Sequence, residues 1–131
     1  MTAEVGTTVV HRRYVPFSDA HYAGNLVDGA YSMKLFGDVA TELCIRTDGD
    51  EGLLASYSDV QFLAPVRAGD VLEVACTLTR VGTRSRSLGL TVHVVARGEP
   101  TPERPGAAVL LDEPLLATTA TATVVVPPSA G

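Results

Sequence analysis

The chain has 131 residues, 46% of them hydrophobic and 19% charged, a composition typical of one folded globular domain and not of a disordered segment. Its net charge is −5, and nine of its ten basic residues are Arg. Because no face is evidently basic, nucleic-acid binding is not expected, although single Arg side chains suit the phosphates of a small molecule.

The chain start and the two cysteines indicate a cellular setting. MTAEVGTT lacks the charged start and apolar run of a signal peptide, and no apolar segment approaches the length of a membrane span. Cys44 and Cys76 fall on predicted apolar faces and are interpreted as reduced core thiols. We therefore expect a cytoplasmic protein that does not enter a membrane.

The first half of the chain predicts one strand, a loop and a helix. Residues Thr7–Val15 alternate loosely as a strand, and Phe17–Leu26 is rich in turn residues. A helix begins near Val27 or Asp28, because a carboxylate suits the positive end of the helix dipole, and Gly49 suits its C-terminal stop. Its apolar positions follow helical spacing: Met33, Phe36, Ala40 and Leu43, flanked by Leu35, Val39 and Cys44.

The second half alternates with a period of two, which is typical of β-strands. Strands are predicted over Leu53–Ala64, Val71–Val81, Arg86–Arg97 and Leu115–Val126, separated by a long Pro-rich loop at Gly98–Pro114 and followed by a frayed tail at 127–131. One helix on a five- to six-stranded antiparallel sheet is an α+β design in a single domain, 1–131. Such a sheet has open edges, so we expect a homodimer formed through an edge strand, or a larger oligomer built from dimers.

Four segments carry a family resemblance: DAHYAGNLVDGAYSMKLFGDVATEL, QFLAPVRAGD, VGTRSR and LDEPLL. They resemble the hot-dog-fold 3-aminobutyryl-CoA and β-alanyl-CoA ammonia lyases, over roughly His11–Val126 without the Pro-rich insert. The resemblance implies one long central helix wrapped by the sheet, a CoA thioester substrate and reversible loss of ammonia from its β-carbon. It implies no cofactor beyond the CoA of the substrate.

Elimination of ammonia from a thioester needs stabilisation of the enolate oxygen. Backbone amides at the helix start can provide it, and Gly29 lets a thioester approach closely. Gly29 is equally explained by close packing of helix on sheet. Asp28 is either a charge at the helix start or a base. A thioesterase would use the same amides, so this feature indicates a thioester site without choosing the reaction.

Proton transfer needs an acid–base group beside the thioester. His21 in the HYAGN loop and Asp38 on the helix are our candidates, with Glu42 as a second carboxylate. Lys34, Asp38, Glu42 and Arg46 are each four apart, which is also the pattern of a solvated, ion-paired face. If that stripe were partly buried, the pKa of both carboxylates would rise.

The sequence leaves two interpretations open for several further residues. Asn25 either bonds the substrate or shapes its turn, and Tyr22 either packs on the acyl chain or contacts the amine. Arg84, Ser85 and Arg86 in GTRSR are candidates for the CoA phosphates, or form a solvated basic turn. Three His without clustered Cys or acidic partners do not indicate a metal site.

The sequence therefore predicts a CoA-thioester ammonia lyase acting on a short 3-aminoacyl-CoA. An acyl-CoA or acyl-carrier-protein thioesterase of the same fold is the alternative enzyme. A dimer that binds acyl thioesters without catalysis is the third reading.

Overall fold

The computed structural model describes residues 3–128, and within that range the chain forms one α-helix and five β-strands. The strands are β1 (Thr8–Tyr14), β2 (Leu53–Phe62), β3 (Val71–Val81), β4 (Ser85–Gly98) and β5 (Ala108–Val125), and the helix α1 spans Gly29–Asp48. Short 3₁₀ turns at Phe17–Asp19 and Ala23–Asn25 lie in the loop between β1 and α1. The tail predicted to fray lies outside the described residues from position 129 onward.

The five strands form one antiparallel sheet in the order β1-β3-β4-β5-β2. This order leaves β1 and β2 as the two edges, each hydrogen-bonded to a single neighbour. The predicted α+β architecture, with one helix packed on an antiparallel sheet, is confirmed. Among the described residues, no helix is both long and apolar enough to cross a bilayer.

The core lies between α1 and one face of the sheet. The alternation read from the sequence is confirmed, because the inward residues of the three central strands are buried: Leu72, Val74, Cys76 and Leu78 on β3, Leu88, Leu90, Val92 and Val94 on β4, and Ala120, Ala122 and Val124 on β5. The helix contributes Leu35, Phe36, Val39, Ala40, Leu43 and Cys44. Removing this apolar surface from water is the main stabilising contribution to the fold.

Both cysteines are free and buried, as predicted. Burial raises the pKa of Cys44 to about 11 and that of Cys76 to about 12, because an apolar surrounding disfavours the thiolate. Both thiols are therefore protonated at neutral pH and behave as small apolar side chains.

Each end of α1 is closed by the residue that its sequence predicted. At the start, the Asp28 side chain accepts a hydrogen bond from the Tyr31 amide at 3.1 Å. At the end, Gly49 adopts a left-handed conformation with φ 68° and donates its amide to the Ile45 carbonyl at 2.9 Å. A residue with a side chain adopts that conformation only at a cost, so Gly49 stops the helix.

The prediction of a long loop over Gly98–Pro114 is wrong in its second half. The strand β5 begins at Ala108, which pairs with Gly98, so the connection covers only residues 99–107. The prediction ended the loop at Pro114 because proline is normally excluded from the interior of strands. Here the pairing shifts register between Val94 and Ala96, and the strand tolerates the proline at that irregularity.

Candidate active site

A cleft of about 430 Å³ opens at the N-terminal end of α1, and we call it the helix-start cleft. Three elements supply its walls: the start of α1, the end of β2 with the segment after it, and the middle of β5. It is lined by Val27, Asp28, Gly29, Ser32, Phe62, Leu63, Ala64, Pro65, Val66 and Thr118. A mostly apolar cleft of this volume with a few polar groups is typical of a small-molecule site.

The helix start that borders this cleft has unpaired amides. An α-helix leaves its first amides without intrahelical acceptors, and the Asp28 carboxylate accepts only that of Tyr31. The amides of Gly29 and Ala30 are therefore available at the positive end of the helix dipole. This is the arrangement that the sequence predicted for binding a thioester oxygen.

The glycine at position 29 lies in close contact with the Phe62 ring. A Cβ at Gly29 would lie 2.9 Å from two ring carbons of Phe62, which is closer than real Cβ atoms approach other atoms. Phe62 is exposed, so its ring would have to move to admit a side chain at position 29. This contact supports both sequence interpretations of Gly29, close packing and access to the backbone.

The loop residues predicted to join the site do not line this cleft. His21 and Tyr22 are exposed and stack edge-to-face, with ring centroids 4.6 Å apart, and their amides both donate to the Leu26 carbonyl. Asn25 has a positive φ of 59° and accepts the Ala68 amide at its carbonyl. In the single chain, Asn25 therefore shapes the turn that leads into the helix.

Asp38 lies in a different cleft. It follows Gly29 by nine residues, which is roughly 2.5 helical turns, so the two residues face opposite sides of α1. A second cleft of about 350 Å³ between β1 and α1, which we call the β1 cleft, is lined by Val10, His11, Arg12, Arg13, Leu35, Asp38 and Val74. One chain therefore does not bring His21, Gly29 and Asp38 into a single site.

Glu42 lies on the same side of the helix as Asp38 and is hydrogen-bonded to two side chains. Its carboxylate accepts hydrogen bonds from Arg46 at 2.8 Å and from the His11 ring at 2.9 Å. These two partners hold the pKa of Glu42 below its ordinary value. The expectation that partial burial would raise it is wrong for Glu42, because hydrogen bonds to the charged form outweigh desolvation.

The predicted CoA-binding residues lie at the opposite end of α1. Arg86 is buried, and its guanidinium donates to both oxygens of Asp48, in the last helical turn, and to the carbonyls of Gly82 and Ser85. With these donors occupied, Arg86 holds the helix end to β4, and the prediction that it binds phosphate is not supported by this geometry.

Arg84 and Ser85 remain accessible beside this ion pair. Arg84 is exposed and lines a third cleft together with the acidic residues Asp50 and Glu51. The length of the helix places this third cleft about 28 Å from the helix-start cleft in the same chain. One chain therefore does not bring Arg84 and Ser85 close to the helix amides.

Comparison with known proteins identifies the family. The sequence model of the Thioesterase superfamily matches residues 24–100. A protein from Acetoanaerobium sticklandii named 3-aminobutyryl-CoA ammonia lyase is 47% identical over 109 residues, covering 83% of this chain and 86% of that protein. The chain belongs to the 3-aminobutyryl-CoA ammonia-lyase family of the thioesterase superfamily.

Solved structures agree with this assignment to the ammonia-lyase family. The β-alanyl-CoA:ammonia lyase from Clostridium propionicum superposes with a TM-score of 0.87 and 37% identity, over 94% of this chain and 87% of that one. A hexameric hot-dog-fold thioesterase of Campylobacter jejuni gives a TM-score of 0.73 at 18% identity, over 92% and 84% of the two chains, and shows a common fold alone. The resemblance and the hot-dog fold predicted from the sequence are both confirmed.

The sequence reading missed three residues that line the helix-start cleft of this ammonia-lyase family member. Phe62 ends β2, and Ser32 and Thr118 form a buried pair of hydroxyls 3.1 Å apart. Thr118 had a sequence signal, because it breaks an apolar run of inward-facing positions on β5. Ser32 had one too, since it interrupts the apolar stripe of the helix one turn after Gly29.

Proposed function

We propose that this protein interconverts a short 3-aminoacyl-CoA, of the β-alanyl or 3-aminobutyryl type, with the corresponding enoyl-CoA and ammonia. The observation that carries the proposal is the 47% identity to a 3-aminobutyryl-CoA ammonia lyase over most of both chains. The geometry adds a cleft in which helix amides meet apolar walls, which suits a thioester but serves a hydrolase equally well.

The amides of Gly29 and Ala30 bind the thioester oxygen. As the α-proton leaves, the carbon–oxygen bond gains enolate character, and oriented N–H groups at a helix start stabilise that charge without reorganising. Phe62, Leu63 and Val66 keep water from the acyl group, which strengthens the interaction between amide dipoles and the developing charge.

His21 and Asp38 are the proton-transfer residues of this proposal, and they require a second copy of the chain. Neither lines the helix-start cleft of its own chain. Asp28 is the one ionisable side chain among the lining residues, and one of its oxygens caps the helix. Residues from a neighbouring subunit would therefore complete the acid–base set.

The β2 edge is the surface through which we propose that two copies associate. It carries the exposed apolar residues Leu53, Leu54 and Phe62. The β1 edge also exposes apolar side chains, at Val10 and Tyr14, but between them lie Arg12 and Arg13, which discourage strand pairing. Two β2 strands paired antiparallel about a two-fold axis place the Leu53 end of one copy beside the Phe62 end of the other.

The proposed β2 pairing also accounts for the distance between the predicted CoA-binding residues and the helix-start cleft. Leu53 and Arg84 line the same third cleft, and Phe62 lines the helix-start cleft. Antiparallel β2 strands therefore bring Arg84 and Ser85 of one copy toward the thioester site of the other. Cys44 and Cys76 are free, which fits the cytoplasmic location that we propose.

One assay separates the lyase from its alternatives. Crotonyl-CoA or acryloyl-CoA is incubated with ammonium, and the enoyl absorbance and free thiol are followed together, with a matched reaction that lacks ammonium. Loss of absorbance that depends on ammonium and releases no thiol supports the lyase. Thiol release in both reactions identifies a thioesterase, and CoA binding with neither change identifies a non-catalytic binder.

A further inference from the structure

Two buried hydroxyl groups lie in the helix-start cleft, and the chemistry proposed above gives them no role. Ser32 on α1 is 3% exposed, Thr118 on β5 is 1% exposed, and their oxygens are 3.1 Å apart. Both residues line the cleft. Within residues 3–128, each of these hydroxyls is hydrogen-bonded to the other.

This pair has unused hydrogen-bonding capacity. A hydroxyl provides one donor and two acceptor sites, and the bond between Ser32 and Thr118 uses one hydrogen and one lone pair. Each hydroxyl therefore has a partner, and one hydrogen and three lone pairs of the pair remain unused. The remaining lone pairs fit a ligand that brings N–H donors.

The local geometry opens the pair to the cleft. Helical side chains lean toward the N-terminus, so the Ser32 hydroxyl lies over the turn that begins at Gly29. Gly29 has no side chain to cover it. Thr118 pairs in register with Phe62 on β2, and both side chains therefore point from the sheet to the same side, toward the helix.

The spacing matches the substrate. Ser32 follows Gly29 by three residues, or about 4.5 Å along the helix axis. In a 3-aminoacyl thioester, the nitrogen is three bonds from the thioester carbon, a span of roughly 4 Å. A thioester held by the helix amides thus places its β-nitrogen at the depth of the two hydroxyls.

We infer that Ser32 and Thr118 form the nitrogen subsite, which binds ammonia on its way to or from the β-carbon. This inference rests on the proposed ammonia-lyase function. The hydroxyl oxygens accept N–H bonds from ammonia and leave the nitrogen lone pair free to face the substrate. Both residues are positioning residues: they hold the nitrogen, and the proton transfers stay with other groups.

The subsite explains a difference in chemistry. A thioesterase must place water against the thioester carbon, whereas a lyase must place nitrogen against the β-carbon, two atoms further along the chain. Hydroxyls set into the wall at that depth favour the second position. When the nitrogen becomes ammonium, the positive end of the helix dipole repels it. The Asp28 carboxylate at the same cleft offsets this repulsion.

The test is a pair of Michaelis constants in the addition direction, measured at one pH with crotonyl-CoA and ammonium. Thr118→Val keeps the side-chain shape and removes the hydroxyl, and we expect it to raise the KM for ammonium roughly tenfold, the effect of one lost hydrogen bond. The KM for crotonyl-CoA should stay within about twofold of the wild-type value, since a lost hydroxyl takes no contact from the CoA portion. Ser32→Ala should behave alike, and Thr118→Ser should restore the ammonium KM.

Thr77→Val is the matched control. Thr77 also forms a hydroxyl pair, at 2.9 Å with Thr8, but this pair lies on the exposed side of the sheet. We expect both Michaelis constants of Thr77→Val to equal those of the wild type. Thermal unfolding of every variant shows whether the chain still folds, and Ser32→Ala carries the test if Thr118→Val does not fold.

Two results overturn the inference. One is an ammonium KM that is unchanged in both Ser32→Ala and Thr118→Val. The other is an equal rise of both Michaelis constants, which indicates general distortion of the cleft. A wild-type protein that adds no ammonia to any enoyl-CoA overturns the proposed function itself, and the inference with it, so the two failures are distinguishable.

Discussion

Arg86 and Asp48 form a largely buried ion pair, with 2.7 Å between guanidinium nitrogen and carboxylate oxygen, that joins β4 to the last turn of α1. A carboxylate at a helix C-terminus is unfavourable by itself, because it meets the negative end of the helix dipole. The hydrogen-bonded Arg86 outweighs this unfavourable interaction and holds the pKa of Asp48 below its ordinary value.

Removal of one partner should therefore destabilise the protein strongly. We expect Arg86→Ala to lower the free energy of unfolding at pH 7 by about 3–5 kcal/mol, because it leaves Asp48 without its partner. The exposed pair of Arg12 and Glu73 is the control, and Arg12→Ala should cost less than about 1 kcal/mol. Urea denaturation measures both, and equal midpoints for the two variants would contradict the assignment.

The same pair predicts a pH dependence. A carboxyl group whose folded-state pKa is depressed stabilises the fold above its unfolded pKa, about 3.9 for Asp, and the stabilisation is lost as pH falls through the folded-state value. We expect the acid limb of stability below pH 4 to be less steep in Asp48→Asn than in the wild type. Denaturation at a series of pH values checks this.

Gly29 predicts a steric effect on activity. Gly29→Ala places a methyl group against the Phe62 ring and narrows the entrance to the helix amides. We expect kcat/KM to fall about 100-fold, comparable to losing one oxyanion-hole donor. The double variant Gly29→Ala with Phe62→Ala should recover part of that loss, since the methyl group then has room.

Gly37→Ala is the control for this experiment. Gly37 lies on the same helix, where an added Cβ would come no closer than 4.0 Å to the Tyr57 hydroxyl. Replacing it should leave activity unchanged and stabilise the helix by up to about 1 kcal/mol. Equal activity losses at positions 29 and 37 would indicate helix distortion and not a blocked cleft.

The titration of Glu42 should report its hydrogen bonds to Arg46 and His11. Arg46 and His11 lower its pKa, so we expect an NMR titration to place Glu42 below the ordinary value and Arg46→Ala to raise it. Lys34→Ala removes a cation from the same helical stripe that makes no hydrogen bond to Glu42, and it should have a smaller effect. A Glu42 titration that is the same in the wild type and in Arg46→Ala would refute the role of this pair.

The proton-transfer assignment is tested by His21→Ala and Asp38→Asn. Each should reduce turnover about 100-fold or more, as expected for a lost general acid–base group. His93→Ala on β4 is the control, because this histidine lies on a strand outside both clefts, and its turnover should be unchanged. Unchanged turnover in both test variants would refute the proton-transfer roles of His21 and Asp38, but not the family membership of the chain.

The β2 edge is tested by the oligomeric state. Leu54 is 44% exposed in the single chain, and Leu54→Lys places a charge on the surface that we propose to be paired. We expect light scattering to show a smaller species for this variant than for the wild type. Val10→Lys introduces the same charge on the β1 edge and should not change the mass of the oligomer. A smaller species in both variants would contradict association through the β2 edge.

The sequence by itself determined the packed faces, the family and the secondary structure apart from the first half of β5. Alternation with a period of two placed the inward residues of β3, β4 and β5, and helical spacing placed the buried side of α1, because burial of apolar side chains follows these periods directly. Asp28 and Gly49 marked the helix ends, since their capping roles depend on local backbone geometry.

Only the tertiary structure decided which of the candidate residues meet. Asp38 and Gly29 are only nine residues apart, yet the roughly 2.5 helical turns between them place them on opposite sides of α1, in separate clefts. Arg86 looked like a phosphate ligand until folding paired it with Asp48, 38 residues away. The Ser32–Thr118 hydroxyl pair spans 86 residues and exists only because β5 packs under the start of α1. Such contacts join distant parts of the chain, and no local pattern specifies them.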